Sequence, residues 1–218
     1  SPISVTGLSS GTAYTFTATA TNSTGTSGSS SASSSLTLAS VGSYFLIERV
    51  NVGAGGASTI SFDNIPQTYS HLQIRSIGRS TNGSTNGINI YLRFNGDTTG
   101  TYNWHGLDAY MGASSGFEST NHVDTTAVYL GVLPNAGLMS NMFCNTISDI
   151  TDYKTTKFKT VRSINGYDFN GSSTGYSYLG MYSNAWRSTS AVTSISIYPQ
   201  ANDFAQYTTF ALYGIKGA

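Results

Sequence analysis

The chain has 218 residues, a formal net charge of zero and 9% charged side chains, against about 25% in ordinary globular domains. This balance excludes recognition of nucleic acid through a basic surface, which needs a large excess of Lys and Arg. The 34 serines, 29 threonines and 15 tyrosines greatly outnumber the two glutamates and four lysines. Thr, Tyr and β-branched residues suit a pleated, half-buried surface, so the composition predicts an all-β protein.

A single cysteine, Cys144, excludes an internal disulfide and a CxxC metal site, and its apolar neighbours predict a buried side chain. No apolar run approaches the roughly 20 residues that cross a bilayer, and the first residues do not form a signal peptide. We therefore expect no membrane insertion. Because the chain opens at a serine in mid-pattern, we also expect that it continues a longer polypeptide.

The first predicted element covers residues 3–20, where apolar and threonine side chains alternate. A period of two over this length predicts a half-buried strand, preceded by a turn at Gly7 and Gly11. The segment GLSSGTAYTF resembles the last third of a fibronectin type III module. That resemblance implies that Leu8 plugs a small core and that the Tyr14 hydroxyl ties back to the preceding loop.

The earlier strands of such a module are missing, so we expect this segment to pack on strands that precede residue 1 or on another chain. A threonine-rich extended stalk is the alternative. The following run, Gly25–Ser35, is low-complexity Ser and Gly, which predicts a flexible linker. We therefore divide the chain into residues 1–38, a partial fibronectin-like segment with its linker, and residues 43–218.

Residues 43–218 alternate strands with turns, and the pattern predicts an antiparallel β-sandwich of jelly-roll type. A loop is expected between Gly112 and Thr125, where no pattern is visible. The expected strands cover 44–52, 58–63, 69–78, 87–95, 126–133, 138–147, 157–166, 175–183, 192–200 and 208–216. The expected turns carry Gly55-Gly56, Asn82-Gly83, Asn86-Gly87, Asn95-Gly96, Asn165-Gly166 and Asn170-Gly171.

Four motifs within this region resemble a recurrent C-terminal domain of tailed-phage virion proteins. They are FDNIPQTYSHLQIR at 62–75, RFNGD at 93–97, DYKTTKFKT at 152–160 and LYGIK at 212–216. The resemblance covers nearly all of residues 43–218 and implies a structural protein on the virion surface. Upstream fibronectin-like segments are common in such proteins, which strengthens this interpretation.

The charged residues predict structural pairs. We expect Arg75 and Arg79 to pair with Asp63 or Asp97. The basic strand around Lys157 and Lys159 is expected to face Asp149 and Asp152 or an acidic surface of a neighbouring subunit.

No catalytic motif is visible. The three histidines, His71, His105 and His122, lack the spacing of a zinc site, and the loop around Asp97 holds too few carboxylates for calcium. We therefore expect no enzyme activity, no metal and no cofactor.

Binding is the more plausible chemistry, because two segments concentrate aromatic side chains. Flat aromatic faces beside hydroxyl and amide groups suit sugar rings, although in a sandwich the same rings often fill the core or an interface. The candidate glycan contacts are Tyr102, Trp104, His105, Tyr110, Trp186 and Arg187.

The sequence thus predicts a non-enzymatic virion-surface protein, either a fibre or a capsid decoration, with a role in host attachment. Its expected partners are other virion proteins of the capsid or tail, a host surface glycan and further copies of itself, with a trimer favoured. The alternatives are a carbohydrate-binding module of a secreted protein, with Trp104 and Trp186 in an open groove, or a polysaccharide depolymerase, which requires two facing acids.

Overall fold

The computed structural model describes residues 3–9, 11–38, 43–84, 87–111, 115–169 and 177–216. The chain divides into two compact units, residues 1–43 and 44–218. Within the described ranges every regular element is a β-strand, and no helix there could span a membrane.

In the part of the first unit that the structure describes, four short strands form two antiparallel pairs. They are β1 (Ala13–Tyr14), β2 (Thr21–Asn22), β3 (Gly25–Thr26) and β4 (Leu36–Thr37), with β1 paired to β4 and β2 to β3. The backbone N–H of Ser9 donates to the Tyr14 hydroxyl at 2.9 Å, so the predicted tie between this tyrosine and the preceding loop is confirmed. Leu8, Tyr14 and Phe16 are half-buried, and the rest of the unit is largely exposed.

The prediction of a flexible linker at Gly25–Ser35 is wrong, because this segment runs back along residues 16–20. Backbone N–H groups of Ser27, Ser30 and Ser33 donate to the carbonyls of Ala20, Ala18 and Phe16. Each serine hydroxyl in turn accepts the N–H of the same partner at 3.0 Å. Every three residues of the returning segment therefore lie beside two residues of the segment 16–20. The serine hydroxyls accept the N–H groups that backbone carbonyls would accept in a regular antiparallel ladder.

The described residues of the second unit form twelve strands. They are β5 (Tyr44–Asn51), β6 (Ile60–Phe62), β7 (His71–Gly78), β8 (Gly87–Phe94), β9 (Tyr102–Met111), β10 (Ser115–Thr125), β11 (Val128–Pro134), β12 (Cys144–Thr151), β13 (Lys159–Tyr167), β14 (Ser177–Trp186), β15 (Ile195–Pro199) and β16 (Thr209–Ile215).

These strands form two antiparallel sheets of a β-sandwich. The larger sheet has the order β10-β9-β14-β13-β12-β7-β16-β5, and the smaller one β11-β8-β15-β6. The strands from β6 to β15 can be numbered as eight segments, with the meander β12–β14 counted together as segment seven. The smaller sheet then has the order 1-8-3-6, and the larger sheet contains the order 2-7-4-5. This is the winding of a jelly roll, so the predicted fold class is confirmed; β5 and β16 extend the larger sheet.

The core between the sheets is built from alternate residues of each strand. In β8 every second side chain is buried: Ile88, Ile90, Leu92 and Phe94. Buried asparagines join the sheets where β11 lies over β13 and β14. Asn165 Oδ1 accepts the N–H of Val132 at 2.9 Å, and Asn184 binds both backbone groups of Tyr129. Each sheet thereby satisfies polar groups of the other.

The structure corrects the elements predicted between residues 102 and 125 and at Asn165-Gly166. Residues 115–125 form β10 rather than a loop, and its partner β9 was not predicted; residues 112–114 lie outside the described residues. This hairpin ends the larger sheet and lacks a simple apolar alternation, which hides it from period-two analysis. Asn165-Gly166 lies inside β13 rather than in a turn.

The strand predicted from Leu138 begins only at Cys144, because the residues before it fold around Arg79. Its guanidinium donates to four backbone carbonyls, those of Ala136, Leu138, Met139 and Met142. Arg79 therefore pairs with neither Asp63 nor Asp97. Cys144 is buried as predicted, and burial raises the pKa of its thiol to about 11.

Because both end strands alternate, the sequence predicts that they lie side by side, with Lys216 near Glu48 or Arg49 and without a free terminal edge. The strands β5 and β16 do pair antiparallel, with Phe210 opposite Val50 and Gly214 opposite Phe45. Two details differ from expectation. Lys216 lies over the ring of Phe45 at 4.9 Å rather than near Glu48 or Arg49, because the register is set by residues 209–215. In addition, β5 remains an edge strand, since only β16 pairs with it among the described strands.

Candidate functional site

The first candidate surface is the outer face of the larger sheet. Leu107, Met181, Ile164 and Ile147 lie directly opposite one another on the adjacent strands β9, β14, β13 and β12. They are 39% to 58% exposed and form a continuous line, which we call the apolar row. Phe117, Leu179 and Ile77 are exposed on the same face, one register step away.

Polar residues occupy the next step of the register on this face. Arg162 lies opposite Asp149 on β12 and opposite Ser183 on β14, and Ser183 faces His105 on β9. A shallow depression of about 590 Å³ touches the apolar row and this polar line. The face thus combines a row of exposed apolar side chains with a few charged ones, Arg162, Asp149 and Arg75, a pattern typical of a protein interface more than of a solvated sheet.

The second candidate surface is a cleft of about 580 Å³ between the β9–β10 hairpin and the small sheet, which we call the aromatic cleft. Aromatic rings supply much of its lining, and the other contributors are mostly neutral polar groups. The lining residues are Asn89, Tyr91, Trp104, Asp108, Thr120, His122, Thr125, Thr126, Ala127, Tyr129, Tyr198 and Gln200.

One wall of the aromatic cleft is a stack of three rings. Trp104 lies between His122 and Tyr129, with ring centroids 4.5 Å and 4.4 Å away. Tyr129 also packs against Tyr182, with the two rings nearly perpendicular and their centroids 4.7 Å apart. Its hydroxyl donates to Asn89 Oδ1 at 3.3 Å. Tyr91 and Tyr198 continue this lining, since the ring centroid of Tyr91 is 5.8 Å from that of Tyr129 and 5.9 Å from that of Tyr198. The aromatic lining is therefore held in place by contacts within the protein.

A buried carboxylate lies at the base of this cleft. Asp108 Oδ1 accepts the hydroxyls of Tyr178, at 2.5 Å, and of Tyr182, and these two hydroxyls are 2.7 Å apart. Burial raises the pKa of both tyrosines well above the usual range, and the nearby Tyr129 and Asp108 act in the same direction. Both phenols therefore keep their protons and serve as hydrogen-bond donors.

Two of the six predicted glycan contacts lie in the core. Tyr102 and Trp186 are 0% and 2% exposed, so neither side chain is accessible to a glycan, and Trp186 lines no open groove with Trp104. Trp186 Nε1 donates to Asp97 Oδ2 at 2.7 Å. A tryptophan with its N–H satisfied packs efficiently in a sandwich, and this explains the correction.

The other four predicted contacts lie in separate places. Trp104 contributes to the aromatic cleft, whereas His105 is on the outer face of the same strand and lines the depression beside the apolar row. Tyr110 donates to Glu118 at 3.1 Å, and Arg187 forms an ion pair with Asp124. Sequence reasoning missed Tyr91, Tyr129 and Tyr198, because only the fold brings β8, β11 and β15 to the hairpin.

Several basic side chains form ion pairs, hydrogen bonds or ring contacts within the protein. Lys157 pairs with Asp152 at 2.8 Å, as predicted. Lys159 is buried, donates to the carbonyls of Thr155 and Lys157, and has a pKa lowered by burial. Arg75 lies over the rings of Tyr44 and Tyr213 and donates to Gln73 rather than to Asp63 or Asp97.

The loop between β8 and β9 passes from the smaller sheet to the larger one and turns at Asn95 and Gly96, whose φ angles are 51° and 67°. Burial alone would raise the pKa of Asp97, but hydrogen bonds from Thr99, Trp186 and Thr101 outweigh it and hold that pKa well below the usual range. The depressed pKa means that this carboxylate stabilises the fold above the unfolded pKa of about 3.9, and that the contribution is lost as the pH falls further.

Asp97→Asn is accordingly expected to lower the free energy of unfolding by about 1–3 kcal/mol near neutral pH. The difference from the unmodified protein should shrink below about pH 4. Urea unfolding at several pH values measures it, with Asp63→Asn as the control for an exposed carboxylate. A difference that stays constant into acid would show that the charge of Asp97 does not stabilise the fold.

Metal and acid chemistry have limited candidates. The described residues contain no group of three or more His, Cys, Asp or Glu side chains able to hold a metal ion. Asp108 and Glu118 occupy directly opposite positions of β9 and β10, but Asp108 is buried and bound by tyrosines. Comparisons with protein-family models, with curated proteins and with solved structures found no match.

Proposed function

We propose that this chain is a non-enzymatic structural protein on the surface of a tailed-phage particle, as a fibre or a capsid decoration with a role in host attachment. The proposal is supported by the four sequence motifs that resemble virion domains and by the apolar row. Jelly-roll sandwiches recur in viral capsid proteins, and such proteins act by assembly.

The apolar row carries the assembly part of this proposal. The solvated face of an antiparallel sheet normally bears polar side chains, and contiguous exposed apolar patches mark interfaces. A second copy of the chain is the proposed occupant. The neighbouring Arg162 and Asp149 supply charges of both signs beside the row, so two copies can meet with opposite charges in contact. We favour a trimer built on this contact.

The test is the mass of the protein in solution. Multi-angle light scattering at micromolar concentration should give an oligomer for the unmodified chain and a monomer for Met181→Lys, because a charge buried at the contact lacks a partner. Met139→Lys is the matched control, since Met139 is exposed to a similar degree but lies in a loop. A monomeric unmodified protein, or an oligomer that survives Met181→Lys, would overturn assembly through this face.

The virion location needs a separate experiment. Labelled protein should bind purified empty heads or tails, or intact host cells, and the partner that retains it separates decoration from attachment. Absence of binding to all three would contradict a virion role. No release of reducing sugar from host capsule is expected, and release that disappears in Glu118→Gln would identify a depolymerase instead.

A further inference from the structure

We propose that the aromatic cleft binds a neutral, hydroxyl-rich ring, such as an uncharged hexose residue of a glycan. This inference goes beyond the assembly role and does not depend on it, because the aromatic cleft is lined from the inner side of the β9–β10 hairpin while the apolar row lies on the outer face. Its volume falls within the usual range of small-molecule sites, about 300–1,000 Å³.

The walls of the aromatic cleft are suited to the apolar faces of a sugar. In the stack, His122 covers one face of Trp104 and Tyr129 covers the other. The exposed ring of the stack is therefore His122. Tyr91 and Tyr198 are half-buried and extend the aromatic lining from Tyr129. Rigid rings whose positions are fixed by protein contacts lose little conformational entropy when a ligand binds.

An unsatisfied polar atom points to a ligand that forms hydrogen bonds. The Oγ1 atom of Thr120 is buried and has no hydrogen-bond partner among the described residues, although Thr120 lines the cleft. A buried hydroxyl without a partner costs about 1–3 kcal/mol. Because this atom has almost no accessible surface in this structure, binding requires the Thr120 side chain to rotate toward the cleft, where a ligand hydroxyl would satisfy it. The amide of Gln200 is exposed and lines the same cleft.

The charges around the aromatic cleft select a neutral ligand. Neither Lys nor Arg lines it, and its one carboxylate, Asp108, disfavours an anionic sugar. Aromatic sites with a nearby carboxylate often take cations, but here Arg93 already lies over Tyr198 at 4.6 Å. A second cation at that ring would be repelled by the guanidinium.

The experiment is saturation-transfer NMR on the full chain with glucose, galactose, mannose, rhamnose and N-acetylglucosamine at millimolar concentration. Glucuronate and choline serve as the anionic and cationic probes. The best neutral probe is then titrated against three variants. Tyr198→Ala should weaken binding about tenfold and Thr120→Val, which keeps the shape of the side chain, about two- to tenfold.

Tyr207→Ala is the matched control, because Tyr207 is an exposed tyrosine outside this lining, and it should bind like the unmodified chain. Melting temperatures show whether each variant is folded, and Thr120→Val decides the matter if Tyr198→Ala unfolds. Failure of all neutral sugars, equal or tighter binding of glucuronate or choline, or full affinity in Thr120→Val and Tyr198→Ala would overturn the proposal. The oligomeric state should remain unchanged throughout.

Discussion

A chain truncated after Gln206 is expected to lose cooperative folding throughout residues 44–218, rather than to fray at one end. The deletion removes β16, which lies between β7 and β5 in the larger sheet, so two hydrogen-bonded ladders disappear and β5 loses its partner. Phe210 and Leu212 are both 0% exposed. Each such side chain contributes about 1.5–3 kcal/mol by burial, and a domain has only about 5–15 kcal/mol in total.

Circular dichroism during heating measures the effect. The truncated chain should show no sharp unfolding transition, whereas removal of Gly217 and Ala218 alone, which leaves β16 complete, should preserve the melting temperature. A truncated protein with an unchanged melting temperature would show that the pairing of the terminal strands does not stabilise the sandwich.

Arg79→Met is expected to destabilise the second unit by about 3 kcal/mol or more, because hydrogen bonds to a charged group contribute about 1.5–3 kcal/mol each. The variant leaves the carbonyls of Ala136, Leu138, Met139 and Met142 without their donor. Leu138 should then leave the core together with its loop. Arg79→Lys should recover only part of the loss, since an ammonium group cannot reach four carbonyls in the fork geometry of a guanidinium.

Arg75→Met is the matched control for this experiment. Arg75 lies on the preceding strand, is exposed and donates only to a side chain, so its replacement should cost less than about 1 kcal/mol. Denaturant unfolding compares the variants. Equal losses for Arg75→Met and Arg79→Met would show that the carbonyl contacts do not organise the loop.

Some features could be predicted from the sequence because they depend on local chemistry. The alternation of apolar and polar residues predicted β8, in which half-buried and buried side chains alternate along the strand. The Asn95-Gly96 dipeptide located a turn because both residues tolerate a positive φ. The tie of Tyr14 to its loop was implied by the resemblance to a fibronectin type III module, and it is also a local contact, since the partner lies five residues away.

Other features were decided by the tertiary structure. The strands β12 and β13 place Ser148, Ser163 and Asn165 inside and leave Ile147 and Ile164 outside, against the rule that apolar residues face the core. Their alternation is regular, but it does not show which face is inner. That choice depends on β11, because the backbone N–H of Val132 donates to Asn165 Oδ1. On the same inner side the hydroxyls of Ser148 and Ser163 hydrogen-bond to each other.

The composition and patterning of this chain therefore determined an all-β protein and most of its strands, because these depend on short-range periodicity. The tertiary structure alone decided that Trp186 is buried while Trp104 lines a cleft, that Gly25–Ser35 is the returning half of a hairpin, and that an apolar row faces outward. Each of these depends on which strands become neighbours, and residues distant in the sequence supply the deciding contacts.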